Sequence, residues 1–262
     1  MNYETIRSTQ EDSILHLKLS RPESLNSINL KMAEELNQIA EDINRNEEVK
    51  VVILSGEGKA FCSGGDISFL QVISKMAAPG VRSFVYDVER KLGRIAYIEK
   101  PVIASIHGFA LGAGLSLALL CDIRIATESA LMGMEFIKVG IIPELGPKQT
   151  LPRLVGLGRA MELALTGDRI NGKEAERIGL INRAVPEGQL EASTMELANK
   201  IAELPPIAIR LVKQSLKGDF LLNLDAAFEY EADLNAICYL TEDFGEAAKA
   251  FKEKRKPVFK GK

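Results

Sequence analysis

Between Pro101 and Leu120 the chain carries no Asp, Glu, Lys or Arg. A stretch of this length is about long enough to cross a bilayer. It also holds Pro101, Ser105, His107, Ser116 and three glycines (Gly108, Gly112, Gly114), and charge resumes at Asp122 and Arg124. A membrane helix is more continuously apolar than this. A buried strand (101–106), a glycine turn (108–114) and a buried helix (115–120) fit it better, and no membrane association is expected.

The rest of the chain repeats that logic. Ser13–Ser20 alternates apolar and polar residues as a strand does. Asn29 can cap a helix through about Asn44, with Met32, Leu36, Ile39 and Ile43 at helical spacing. Val51–Leu54 reads as a strand, Ser63-Gly64-Gly65 as a sharp turn, and Asp66 as the cap of a helix to about Met76. A helix over 81–98, strands over 122–126 and 130–134, a loop over 140–146 and a helix to Val155 follow. After about residue 186 the pattern becomes helical: 190–204, 206–216, 222–239 and 242–252. The expectation is an α/β core over 1–190 and a helical C-terminal region over 191–262.

Composition narrows the function classes. Of 262 residues 46% are hydrophobic and 26% charged, with net charge −3, as in ordinary globular proteins rather than nucleic-acid binders. Residues 252–262 carry a local +5, a feature suited to a phosphorylated ligand. Cys62, Cys121 and Cys238 form no disulfide framework or zinc pattern, and two histidines (His16, His107) make no His-rich metal site. Met1–Gln10 has no basic segment leading into an apolar one. The expectation is a cytoplasmic protein with reduced thiols and no metal. P-loop, dinucleotide-fingerprint and nucleophile-elbow patterns are missing.

Two segments carry chemistry: Cys62-Ser63-Gly64-Gly65-Asp66 and Gly108-Phe109-Ala110-Leu111-Gly112-Ala113-Gly114. Each sets small residues between a buried strand and a helix start, where backbone N–H groups are open to a ligand and the helix favours negative charge. Two such turns can aim two N–H groups at one oxygen; taken singly, each reads first as a structural tight turn. Glu144, in an apolar loop before a helix, reads as a base of raised proton affinity or as a dipole-favoured helix-entry glutamate.

Lys59–Ile67, His107–Gly114 and Cys121–Ala126 resemble the signatures of the crotonase, or enoyl-CoA hydratase/isomerase, superfamily. Arg21-Pro22 with Leu25–Asn29, Thr166-Gly167 with Ala175–Leu180, and Phe251–Pro257 resemble it too. The resemblance implies a spiral of ββα units, a helical trimerisation region, a homotrimer or dimer of trimers, and an acyl-CoA thioester as substrate. Coenzyme A is then part of the substrate, and no separate cofactor is expected. The thioester oxygen would be held by the N–H of Gly65 and Ala113. The paired glutamates of hydratases would fall on Ser116 and Phe136, neither of them acidic, with Phe136 an apolar wall. Double-bond isomerases similar to this chain carry a carboxylate at the position of Glu144. CoA contacts would come from Ser24, Leu25, Ile67 and Ser68 and, from a neighbouring subunit, Phe259 and Lys260, with Leu70 shaping the acyl pocket. The leading expectation is enoyl-CoA isomerisation with Glu144 as proton shuttle. A hydratase using Glu144 and a non-catalytic acyl-CoA-binding subunit are the alternatives.

Overall fold

The computed structural model describes residues 3–73, 75–218 and 224–262. Strand β1 (Ile6–Glu11) turns back at Asp12 into β2 (Ile14–Leu19), paired antiparallel. Helix α1 (Leu30–Arg45) follows, and the Asn29 side chain accepts the Met32 N–H at 2.9 Å, as expected of its cap. Then come β3 (Val51–Gly56), α2 (Ile67–Ile73), α3 (Ala78–Gly93), β4 (Val102–Ile106), β5 (Phe109–Leu111) and α4 (Ala113–Leu120). The run without charge is therefore strand, short strand and helix, and no helix among the described residues is long and apolar enough to cross a membrane.

The chain continues through β6 (Ile123–Thr127), β7 (Leu131–Gly133), α5 (Pro147–Val155), α6 (Leu157–Thr166), β8 (Arg169–Ile170), α7 (Gly172–Arg177) and β9 (Arg183–Val185). The larger sheet runs β1-β2-β3-β4-β6-β9, parallel from β2 onward, and a smaller one runs β5-β7-β8. Leu15, Leu17 and Leu19 of β2, with Val52 and Leu54 of β3, join the buried face of α1 in the main core. The alternate residues Ile14, Val51 and Ile53 face the other way, onto α8 (Leu190–Ala202). A parallel sheet covered on both faces explains these near-continuous apolar runs.

Helix α8 starts at the 190/191 boundary drawn from sequence and lies on the sheet beside the core. Beyond it lie α9 (Pro206–Lys217), α10 (Leu224–Tyr239) and α11 (Glu242–Glu253). Lys213 of α9 pins this region to the sheet, donating to Asp122 at 2.6 Å and to the Lys100 carbonyl at 2.8 Å. The helices leave large apolar side chains in solvent, among them Leu216, Phe228, Ile237 and Phe251.

Candidate active site

The two glycine turns lie against each other. Cys62 and Ala110 form a parallel bridge: the Cys62 N–H donates to Phe109 at 2.9 Å and the Leu111 N–H to Cys62 at 3.0 Å. Gly64, at φ 111°, takes a backbone shape that side chains disfavour, and a Cβ there would lie 3.0 Å from the Leu111 carbonyl and 3.8 Å from the Ala113 nitrogen. On the other flank, Ile28 donates to the Gly64 carbonyl and accepts from the Asp66 N–H, both at 2.8 Å. In that parallel pairing the residue between, Gly65, turns its own N–H away from Ile28. Ala113 is the first residue of α4, where a helix leaves its N–H without an internal acceptor. Among the described residues, neither N–H has a backbone acceptor. Two free donors on contiguous turns are thus presented together.

A polar bracket fixes the first turn. The Asp66 carboxylate accepts from Ser68 N–H at 2.9 Å, Arg21 at 2.8 Å and Ser27 at 3.1 Å. The Ser68 backbone bond leads and, with Arg21, overrides burial to hold this carboxyl well below the usual carboxylate range. Asn26 is fully buried, accepts from the Arg21 N–H and donates to the Glu57 and Ala60 carbonyls. Ser24 and Leu25 are tied in as well: their carbonyls accept from the Ser63 hydroxyl and N–H at 3.2 and 2.9 Å. The N-terminal motif therefore clamps the loop that carries Gly65. Ile67 and Ser68, at the start of α2, are exposed beside it.

Aromatic rings border both turns. The Phe136 ring reaches within 4.0 Å of where a Gly112 Cβ would stand, and Phe69 of α2 within 3.6 Å of the Gly65 equivalent. Phe69, one turn beyond Gly65, packs edge-on against Phe84 of α3 with centroids 5.9 Å apart. Sequence reading passed over it; the spacing of four from Gly65 was its signal. Ser116 is buried one turn after Ala113, and its hydroxyl has no partner among the described residues. The Leu70 side chain lies outside the described residues.

Of the nearby carboxylates, Glu135 is committed elsewhere. Arg169 grips it with two bonds of 2.9 and 3.1 Å, and Lys138 adds a third at 3.0 Å. Burial favours its neutral form, but these cations outweigh burial and hold it below the ordinary glutamate range. Among the described residues, Glu144 has no such cation beside it. Half-burial pushes its carboxyl above the ordinary range, and the Glu89 carboxylate of α3 pushes the same way. The 140–146 loop departs from Phe136, whose carbonyl accepts the Ile141 N–H at 3.2 Å, and enters α5, which packs on α4.

Other expected groups lie apart. Phe259 and Lys260 do not join the turns within one chain. The Phe259 carbonyl accepts from Lys50 at 3.5 Å, before the N-terminal end of β3, whereas the Gly65 turn follows the C-terminal end. Asp243 holds the tail there through the N–H groups of Lys260 and Gly261 at 2.7 and 2.9 Å. Burial pushes the Cys62 thiol up to about 12, unsuited to a nucleophile. His107 bonds the Gly58 carbonyl at 3.0 Å and, with His16, lines a groove of about 540 Å³ on the α8 side of the sheet, away from the core face. No cluster of metal-ligating side chains occurs among the described residues.

Residues 9–262 match the family described as Enoyl-CoA hydratase/isomerase. The chain belongs to this family. It is 38% identical over 260 residues to a crotonyl-CoA hydratase of Syntrophomonas wolfei, covering 99% of each chain. It is 34% identical over 266 residues to a peroxisomal Delta(3,5)-Delta(2,4)-dienoyl-CoA isomerase of Arabidopsis thaliana, covering 98% of this chain and 96% of that one. The crystal structure of an enoyl-CoA hydratase from Bacillus anthracis superposes with TM-score 0.92 at 39% identity, covering 99% and 100% of the two chains. The crotonase-like α/β fold and the enzyme family expected from the motifs are therefore established. This enoyl-CoA hydratase/isomerase family member resembles hydratases and isomerases about equally, so overall similarity does not choose the reaction.

Proposed function

We propose that this protein is an enoyl-CoA isomerase that uses Glu144 as its proton shuttle. The observation that carries this reading is that Glu144 is a half-buried carboxylate of raised proton affinity with no cation beside it among the described residues. By the family resemblance the two hydratase glutamate positions fall on Ser116 and Phe136, neither acidic, and the adjacent Glu135 is paired with Arg169 and Lys138.

The substrate is an unsaturated acyl-CoA thioester. Its carbonyl oxygen accepts from the N–H groups of Gly65 and Ala113. Glu144 removes a proton from C2 of a 3-enoyl-CoA, and the electron pair moves through the thioester to the oxygen, giving a dienolate. Both donors strengthen as charge develops there; losing one such donor typically raises a barrier by about 3–4 kcal/mol. The dienolate collapses with the C2–C3 double bond formed, and Glu144 returns its proton to C4. No water enters the balance, and the Phe136 and Phe69 rings keep it away. Ser24, Leu25, Ile67 and Ser68 lie at the rim for CoA. Phe259 and Lys260 reach CoA only from a neighbouring protomer, which fits a homotrimer or dimer of trimers built on the exposed apolar faces. A cytoplasmic location accords with the free, buried Cys62 and Cys121 thiols.

Product analysis in heavy water tests the reading. Incubation with a 3-enoyl-CoA should yield the conjugated 2-enoyl-CoA, and Glu144→Gln should lower turnover by about 10²–10⁴-fold. A 3-hydroxyacyl-CoA product would make the protein a hydratase. CoA-ester binding without deuterium uptake would make it a binding subunit.

A further inference from the structure

The inward stripe of α3 holds one residue that does not belong to a core. Val81, Phe84, Val85, Val88 and Leu92 are buried or half-buried at helical spacing, and Glu89 shares their face. An ionisable side chain is seldom placed there without a partner. Its partner is a backbone group: Glu89 Oε1 accepts the Leu145 N–H at 2.7 Å. Leu145 follows Glu144 directly, is buried, and sits at φ 68°, a left-handed shape disfavoured for leucine. A conformation of that kind persists when surrounding contacts over-determine it. Here the contacts are the core around the Leu145 side chain and the Glu89 carboxylate on its N–H.

We propose that Glu89 is the positioning residue of the Glu144 base. Its carboxylate holds the backbone turn that aims Glu144, and it sets a second negative charge beside that carboxylate. The proposal rests on the reading of Glu144 as the base and adds a residue from a separate helix to it. The two acids are not interchangeable: Glu89 is engaged by the Leu145 backbone N–H, whereas Glu144 has no such donor among the described residues.

Among the described residues, the other charges on the neighbouring helices are paired elsewhere or exposed. On α3, Arg82 is exposed, Lys91 pairs with Asp87 and Glu34, and Arg90 with the Tyr86 hydroxyl. Just beyond α3, Arg94 pairs with Glu41 of α1. Helices α2 and α4 have no Asp, Glu, Lys, Arg or His, and Lys148 and Arg153 of α5 are exposed. Among the described residues, the charge that acts on Glu144 is that of Glu89.

Two measurements on the full-length protein test this. Carboxyl-¹³C NMR of labelled glutamate follows Glu144 without any substrate, its resonance assigned by loss in Glu144→Gln. Glu89→Gln keeps an acceptor for Leu145 and removes the charge, so the Glu144 midpoint is expected to move to lower pH. Steady-state turnover of 3-hexenoyl-CoA follows the turn. Glu89→Ala is expected to lower kcat by about 10- to 100-fold, as misplaced catalytic groups do, with little change in KM. Glu89→Gln should recover most of that kcat above the acid limb. An unmoved midpoint in Glu89→Gln, or an unchanged kcat in folded Glu89→Ala, overturns the proposal. If Glu144→Gln is inactive while both Glu89 variants behave as wild type, the base stands and the positioning role falls. If Glu144→Gln keeps full turnover, the base itself is wrong.

Discussion

Gly114 lies directly on the carbonyl of Cys62: a Cβ at 114 would fall 2.3 Å from that oxygen and 2.8 Å from the Cys62 Cβ. The first turn of α4 is thereby seated on the bridged segment that leads into the Gly65 turn, and the Ala113 N–H is fixed relative to its counterpart. Gly114→Ala should push the two turns apart. Overpacking against backbone costs about 2–3 kcal/mol, which lowers Tm by roughly 5–10 °C in a chain this size. Thermal unfolding checks the stability. Turnover of a 3-enoyl-CoA by the folded fraction should also fall, because the second donor moves with α4.

Asp66 offers a pH-resolved test of the bracket. Its bonds to Ser68 and Arg21 hold the carboxyl far below its unfolded value. The unfolded chain therefore binds a proton at pH values where the native chain does not. The stabilisation is complete above the unfolded carboxylate range and is withdrawn as pH falls through it toward the native value. Asp66→Asn should cost about 1–3 kcal/mol at pH 7, as charged hydrogen bonds do. The gap between variant and wild-type unfolding curves should narrow progressively below about pH 4.

Much of this arrangement was legible from local sequence. The Asn29 and Asp66 caps, the strand at 51–54 and the glycine turns are written in adjacent residues. What escaped lacked a local signature. Strand β1 shows one buried and five exposed residues, so an edge strand of polar side chains gave no alternation to read. Strand β5 is three residues inside what reads as a glycine turn, and only its pairing with β7 makes it a strand. Arg169 meets Glu135 across 34 residues of chain, and no spacing rule reaches that far. Glu89 was visible in principle as a charge in an apolar stripe, but its partner is a backbone N–H in another loop.

Ser116 separates stability from function. Its buried hydroxyl has no described partner, and an unsatisfied buried polar group costs about 1–3 kcal/mol. Ser116→Ala removes that cost while leaving α4 intact, so Tm should hold or rise. If the hydroxyl bonds the acyl-CoA, kcat/KM should fall about five- to ten-fold, the worth of roughly 1 kcal/mol. A variant that is more stable and equally active would make Ser116 a packing residue.

Glu144 should set the acid limb of the pH profile and reduce stability at the same time. Half-burial and Glu89 raise its proton affinity, so the ionised base forms at higher pH than an ordinary glutamate. Activity should therefore fall on acidification earlier than a solvated glutamate would allow, and log kcat should drop with unit slope below the midpoint. The stability sign is opposite to that of Asp66. The native state holds the proton where the unfolded chain has released it, so stability declines as pH rises from the unfolded value through the native one. Above that window the native protein keeps a charge its surroundings disfavour. Glu144→Gln relieves it and should unfold at the same temperature as wild type near pH 4 and at a higher one near pH 8. Unfolding curves at the two pH values, set beside the turnover of the same variant, check both signs. A Glu144→Gln protein less stable than wild type at pH 8 would mean that the carboxylate has a stabilising partner in solution and is not held ready as a base.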